Sequence, residues 1–199
     1  MEVNYVPGEV LCISQTAYID CALERFGMSD ARVGSPLMQN EMMPSIEQAR
    51  IKINDLSILF RKLIGALQYL VACTRSDLAN AVRTLARYSS LYTKEYYMCA
   101  KRVLRHRRAT RIYGLVYRRQ DPVVPLRVDA HCDAEHANCP DTSRSITGYL
   151  VRLNGCMFMY KSKQQGKVTT SGVVESQGSG ESHELRSFSV GTELLRLVL

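Results

Sequence analysis

The chain has 199 residues, enough for one or two domains with a buried core, and its 46% hydrophobic and 23% charged composition is typical of a globular protein. Its net charge of +7 favours a polyanionic partner. Seven scattered cysteines without a CxxC pair argue against a disulfide framework, and no apolar run is long enough to span a membrane. We therefore expect a reduced, intracellular protein with no membrane partner.

The N-terminal part of the chain predicts a strand followed by a helix. Residues 9–15 form a short strand-like run. The helix begins at a cap supplied by Ser14 or Thr16 and ends at Gly27. Residues 30–55 contain two prolines and no clear periodicity, which predicts a long irregular connector.

Three helices are predicted in the middle of the chain. Residues 55–72 carry an apolar stripe at helical spacing, with Asp55 as the N-cap. Ser76 begins a second helix and Thr93 a third. Residues 110–117 then alternate as a strand would.

Basic residues are concentrated at the end of the third helix. Arginine guanidinium groups bind phosphate oxygens well, so this run favours a nucleic-acid contact. A solvated helix face is the alternative, because charge runs often have no other role. The run comprises Lys101, Arg102, Arg105, Arg107, Arg108 and Arg111.

A domain boundary is predicted at residues 118–125, which contain two prolines and a charge cluster. It divides the chain into a mainly helical domain, residues 1–117, and a domain of residues 126–199 that begins with β-structure.

The second domain opens with a strand, a polar loop and a hairpin. The first strand carries Asp133 near its end. Two later runs, Thr147–Leu153 and Cys156–Lys161, are joined by Asn154 and Gly155. These two residue types tolerate positive φ, so they predict a tight turn between antiparallel strands.

A cluster of His131, Cys132, His136 and Cys139 raises the alternative of a zinc site. Its spacing fits no standard finger, and neighbouring residues on a strand point to opposite faces. We therefore favour other roles for these residues.

Five collinear segments within residues 9–199 resemble the Pol polyprotein of copia-type LTR retrotransposons. YIDCALERFGMSDARVGSPL (18–37), FRKLIGALQYLVACTRSDLANAVRTLARYSS (60–90) and AKRVLRHRRAT (100–110) are similar to the end of its reverse transcriptase. CDAEHANCPDTSRSITGYLVRLNGCMFMYKSKQQ (132–165) and GESHELRSFSVGTELLRLVL (180–199) are similar to the start of its ribonuclease H domain. The resemblance implies an α+β or α/β fold, with a helical thumb and connection segment followed by a partial, mixed ribonuclease H-like sheet and a C-terminal helix.

The resemblance also implies hydrolysis of RNA–DNA hybrids by two Mg²⁺ (or Mn²⁺) ions, which require several carboxylates. Asp133 occupies the position of the first catalytic, metal-binding carboxylate, with Asp129 as a weaker candidate. Glu184 occupies the second position, and Glu181, three residues earlier, is its alternative. Glutamates that only cap a helix remain a third interpretation for this pair.

Nucleic-acid contacts follow from the same resemblance. Partners implied are an RNA–DNA hybrid or other nucleic acid and the remainder of the Pol polyprotein, in the cytoplasm (in a virus-like particle) or the nucleus. The expected phosphate-binding residues are Lys101, Arg102, Arg105 and Arg108, with Lys161 and Lys163 after the hairpin.

The set of catalytic acids in this chain is incomplete relative to the family. The sequence contains no adjacent pair of aspartates of the Tyr-x-Asp-Asp type. Glu193 is the one acid after Glu184, and at nine residues' distance it lies about half a turn round the helix and points away. We therefore expect little or no nuclease activity from this chain alone. The alternatives are an inactive nucleic-acid-binding remnant or a decayed retroelement product.

Overall fold

A computed structural model describes residues 1–30, 57–120, 127–135, 144–166 and 186–189. This part of the chain has a mixed α+β fold. The helices are α1 (Thr16–Arg25), α2 (Phe60–Cys73), α3 (Ala79–Ala86) and α4 (Lys94–Ala109). The strands are β1 (Glu2–Val6), β2 (Val10–Ser14), β3 (Leu115–Arg118), β4 (Arg127–Glu135), β5 (Ile146–Leu153), β6 (Cys156–Gln164) and β7 (Arg186–Ser189).

The strands form two sheets, one in the order β1-β2-β3 and one in the order β6-β5-β4-β7. The chain divides into two compact units. The helical unit contains Met1–Tyr5 and Leu11–Leu115, and the sheet unit contains Val6–Val10 and Val116–Leu199. The domains predicted from the sequence, 1–117 and 126–199 with a linker at 118–125, remain predictions.

The helical unit has an apolar core that the predicted stripes supply. Leu63, Leu67 and Leu70 of α2 are fully buried, because residues three and four apart lie on one face of a helix. Aromatic rings pack beside them. Tyr88 stacks on Tyr96 with ring centroids 4.0 Å apart. All three predicted helices of this region are present, although the first begins at Phe60 with Leu59 as its N-cap, so the predicted cap at Asp55 was wrong. Ser76–Leu78 forms a short 3₁₀ turn before α3.

The start of α1 is stabilised by a residue from outside the helix. The N-cap is Gln15, whose side chain makes no capping bond, so the predicted caps at Ser14 or Thr16 were wrong. The Glu2 carboxylate instead accepts a hydrogen bond from the Ala17 backbone N–H at 2.7 Å and one from the Ser14 hydroxyl at 3.0 Å. These bonds, that from Ala17 first, lower the pKa of Glu2 from its usual value of 4.5.

The strand predicted over residues 110–117 begins only at Leu115. The chain first turns, with the Tyr113 N–H donating to the Thr110 carbonyl at 3.0 Å. Gly114 then passes so close to the backbone of Ile13 that a Cβ atom would collide with its carbonyl oxygen. A glycine is therefore required at this crossing, which the alternation of apolar residues did not reveal.

The larger sheet contains the predicted hairpin. Asn154 (φ 49°) and Gly155 (φ 82°) both adopt positive φ between β5 and β6, which confirms the interpretation of the Asn-Gly pair. The register shifts within this hairpin, because Arg152 pairs with Met157 but Val151 pairs with Met159. Phe158 is the extra residue of this β-bulge. The Tyr117 hydroxyl donates to the Met157 carbonyl beside it, at 3.0 Å.

The end of the chain differs from the expected mixed sheet and C-terminal helix. Arg186–Ser189 is a strand, and it pairs antiparallel with β4. Every strand pair described in this sheet is antiparallel. A mixed sheet would require at least one parallel pair of strands, and β7 runs antiparallel to β4. Serine on both sides of Phe188 gives the alternation of polar and apolar residues that is typical of a strand, whereas we expected a helix here. Residues 190–199 lie outside the described residues.

Candidate nucleic-acid interface and metal-ligand positions

Three of the predicted phosphate-binding residues share one face of α4. Lys101, Arg105 and Arg108 are four and three residues apart, so at about 100° per residue they form one row along the helix. Arg102 lies about 100° round from Lys101. All four are half-buried. The Lys101 ammonium lies over the Tyr97 ring, 5.0 Å from its centroid, so the row includes an aromatic surface.

Arg107 belongs to the core and not to this row. Its side chain is completely buried, on the face that carries Val103 and Leu104. Its Nη1 donates to the Asp77 carboxylate at 3.3 Å. Its Nε and Nη2 have no hydrogen-bond partner among the described residues. The basic run therefore has one member fewer on the surface than the sequence suggested.

A second arginine shares the same carboxylate. Arg75 is 2% exposed and binds Asp77 through Nε at 3.0 Å and Nη2 at 2.8 Å. Arg75 Nη1 also donates to the carbonyl of Thr110, just after α4, at 2.8 Å. Asp77 thus compensates two buried cations and connects the end of α2 to the end of α4.

Sequence reasoning missed this buried charge network. One signal was available, because Arg107 follows Val103 by four residues and Leu104 by three and so lies on their apolar stripe. The partner at Asp77 lies 30 residues away, and no local pattern identifies it.

Beyond the end of α4, the basic residues meet acidic residues of α1. Arg111 Nη1 donates to Asp20 at 3.3 Å, and both side chains are about half exposed, 54% and 48%. The Thr16 hydroxyl donates to the Arg111 carbonyl at 3.3 Å and so holds the backbone there. A cavity of about 570 Å³ opens at this position; its lining includes Asp20, Glu24, Arg108 and Arg111.

Lys161 and Lys163 lie on one face of β6, since they are two residues apart, and both are exposed. Lys161 pairs with Tyr149 and Lys163 with Thr147 across the hairpin. Tyr149 in turn pairs with Cys132 of β4.

Asp133 lies in β4 and pairs with Gly148, which pairs with Ser162. This row is next to the row of Cys132, Tyr149 and Lys161. The register therefore places Asp133 in a different row from each of the two lysines.

Asp129, the weaker candidate for the first carboxylate, already has a structural partner. It is 8% exposed and accepts a hydrogen bond from Arg127 Nε at 2.7 Å. Two residues further along β4, His131 Nε2 lies 2.6 Å from Arg152 Nη2. Arg127, Asp129 and His131 thus alternate along β4 as a polar row, in which Asp129 forms an ion pair with Arg127.

The second predicted carboxylate, Glu184, and its alternative, Glu181, lie outside the described residues, as do His136 and Cys139 of the zinc hypothesis. The described residues contain no group of three or more His, Cys, Asp or Glu side chains that could hold a metal ion. No helix within the described ranges has the length and apolar character needed to cross a membrane.

Comparison with known proteins gives a consistent class. The chain is 32% identical over 167 residues to the retrovirus-related Pol polyprotein from transposon TNT 1-94 of Nicotiana tabacum, with 81% of the chain and 12% of that protein covered. It is 30% identical over 190 residues to the Pol polyprotein from transposon RE2 of Arabidopsis thaliana, with 95% and 12% covered. An uncharacterized mitochondrial protein of A. thaliana is 34% identical over 161 residues, with 81% and 64% covered.

No protein-family model matches the chain, and no solved structure matches it. The two transposon proteins define a class, the retroelement polyproteins. The chain spans about an eighth of the length of each of them. The chain belongs to the family of retrovirus-related Pol polyproteins from copia-type transposons.

Proposed function

We propose that this chain is the part of a Pol polyprotein that joins the end of the reverse transcriptase to the beginning of the ribonuclease H domain, and that it binds RNA–DNA hybrids through the basic face of α4. One observation carries the proposal. Lys101, Arg105 and Arg108 form a single row on a helix whose opposite face is anchored in the core. Such a row matches the regular spacing of phosphates better than scattered charges do.

The contact is independent of sequence, because it involves phosphates and no base edges. Lys161 and Lys163 supply a second phosphate-binding pair on the exposed face of β6. Arg102, on the flank of the row, contributes charge without belonging to it.

The binding test removes the row and compares the result with a matched control. Lys101→Gln, Arg105→Gln and Arg108→Gln together should weaken binding of a labelled RNA–DNA hybrid at least about tenfold at low salt, and reduce the salt slope by up to about 3. Fluorescence anisotropy measures both quantities. The control replaces Arg25, Arg61 and Lys62, three exposed basic residues elsewhere in the helical unit, by glutamine. Equal losses in both triple variants would contradict a specific role for α4.

Asp133 and Glu184 are the residues we propose as metal ligands. Carboxylate oxygens suit Mg²⁺ or Mn²⁺, so the chemistry of these donors fits the ion that the family uses. When bound, the two ions would activate water and stabilise the leaving oxygen of the phosphodiester. Asp133 would contribute one carboxylate from the central strand β4, and Asp129 remains paired with Arg127.

Two carboxylates are fewer than a two-metal site requires, so we expect binding of the hybrid with little or no cleavage. The experiment compares the wild type with Asp133→Asn in Mg²⁺ and in Mn²⁺. Cleavage by the wild type that disappears in the variant would overturn the expected inactivity and support Asp133 as a ligand. Binding without cleavage in both proteins fits the alternative, an inactive nucleic-acid-binding remnant.

A further inference from the structure

The basic row of α4 ends beside two acids, and this arrangement has a consequence for binding. Asp20 and Glu24 are one turn apart on α1 and line the same cavity as Arg108 and Arg111. The local charge there is balanced, with two acids against two arginines. A phosphate backbone that approaches this end of α4 meets carboxylates as well as guanidinium groups.

We propose that Asp20 is an intramolecular competitor for the phosphate that Arg111 would otherwise bind. The inference rests on the proposed hybrid binding and adds a specific inhibitory contact to it. Arg111 is held in place at its backbone by the Thr16 hydroxyl, while its guanidinium reaches Asp20 four residues further along α1. The backbone anchor keeps Arg111 at the end of the basic row whether or not the ion pair is closed.

The ion pair is weak enough to be displaced. Both side chains are about half exposed, and exposed pairs of this kind contribute little to stability. A phosphate oxygen binds a guanidinium in the same geometry as a carboxylate does. Occupation of Arg111 by phosphate leaves Asp20 without its partner, and the cost of that loss reduces the affinity for the hybrid.

Removal of the Asp20 charge should therefore strengthen binding. Asp20→Asn should lower the Kd for a short RNA–DNA hybrid by about two- to fivefold at low salt, since that range corresponds to an exposed ion pair. The salt slope should become steeper by up to about 0.9, because Asp20 no longer takes up a cation when Arg111 binds phosphate. The side chains of Asp20 and Arg111 are both about half exposed, so we expect substitutions at either position to leave the fold intact.

Two controls separate local competition from a general change in charge. Glu24→Gln removes the same charge from the same cavity and should have a smaller effect than Asp20→Asn. In an Arg111→Gln background, Asp20→Asn should have no effect, because the arginine for which the two anions compete is gone. An equal gain from Glu24→Gln, or an undiminished gain in the Arg111→Gln background, would overturn the inference.

The outcomes also distinguish this inference from the proposed function. Binding by the wild type that is unchanged in Asp20→Asn would refute the competition and leave hybrid binding intact. Absence of binding in both proteins would refute both. Binding that appears only in Asp20→Asn would support the competition directly.

Discussion

The two units of this molecule bury their apolar residues to very different extents. The helical unit contains a continuous core in which Phe60, Leu63, Leu67 and Leu85 are completely buried. In the sheet unit, no apolar side chain is buried among residues 6–10, 116–120, 127–132 and 144–166, and Phe158 and Met159 are 42% and 47% exposed. The buried residues described there are Asp129 and Ser145, which are polar.

This difference shows which parts of each unit determine its stability. A helix buries its apolar stripe against other helices, and α2, α3 and α4 do so among themselves. A sheet face is buried when a second layer packs on it, and the described residues of the sheet unit include strands but no helix. We therefore expect substitutions in the helical unit to affect stability through packing, and those in the hairpin to affect it through backbone conformation.

The largest effect should come from a core truncation. Leu67→Ala in α2 should lower the free energy of unfolding by about 3 kcal/mol, because it leaves a cavity in a fully packed site. The half-buried Leu150 of β5 is the matched comparison, and Leu150→Ala should cost about 1 kcal/mol or less. Denaturant unfolding followed by far-UV circular dichroism measures both. Equal losses would contradict the contrast between the units.

The buried charge network should give the next largest effect. Asp77→Asn should lower the free energy of unfolding by about 2 kcal/mol, because the buried guanidinium groups of Arg75 and Arg107 lose the carboxylate that they share. The loss is moderate because Asp77 itself is about half exposed. Asp20→Asn breaks an exposed pair and should cost at most about 0.5 kcal/mol. Thermal unfolding of the two variants tests this order, and a reversed order would show that Arg107 does not depend on Asp77.

A smaller effect on stability should come from the backbone conformation of a glycine in the hairpin. Gly155 has φ +82°, so Gly155→Ala should destabilise the protein by about 1 kcal/mol. Gly65, within α2 and with open space at its Cβ, should respond in the opposite direction, and Gly65→Ala should stabilise by about 0.5 kcal/mol. The sign of the difference between the two melting temperatures is the decisive measurement.

The smallest effect should depend on pH. The folded state lowers the pKa of Glu2, so its carboxylate stabilises the fold above the usual value of 4.5, and this contribution is lost as the pH falls through the lowered pKa. Glu2→Gln should therefore lower the melting temperature slightly at about pH 7, and the difference should diminish as the pH falls below 4.5 and through the lowered pKa of Glu2. A difference that persists in acid would show that the charge of Glu2 is not involved.

The sequence predicted the elements whose cause is local. The turn at Asn154 and Gly155 follows from the two residues themselves, and α2 and α4 follow from the spacing of their apolar residues. Contacts between distant positions were missed, such as the bond from Ala17 to Glu2 and the ion pair between Arg107 and Asp77. These depend on how elements pack, which a periodic pattern does not encode.

The candidate site follows the same division. The row of Lys101, Arg105 and Arg108 could be read from helical spacing, whereas the burial of Arg107 required the packed structure. The position of Asp133 on the first strand of the larger sheet was predicted, and Glu184 lies outside the described residues.

The single extra residue in β6 decides which side of the sheet carries the lysines. If Phe158 paired with Val151 in a regular ladder, Lys161 would pair with Gly148 and so enter the row of Asp133. The bulge moves it to Tyr149, and the Tyr117 hydroxyl binds the backbone beside the insertion. Without the bulge, every residue from Met159 to the end of β6 would pair one position earlier along β5 and so face the other side of the sheet. Deletion of Phe158 would remove the bulge and still leave Lys161 opposite Tyr149, so the conformation of this one residue sets the face on which the two lysines lie.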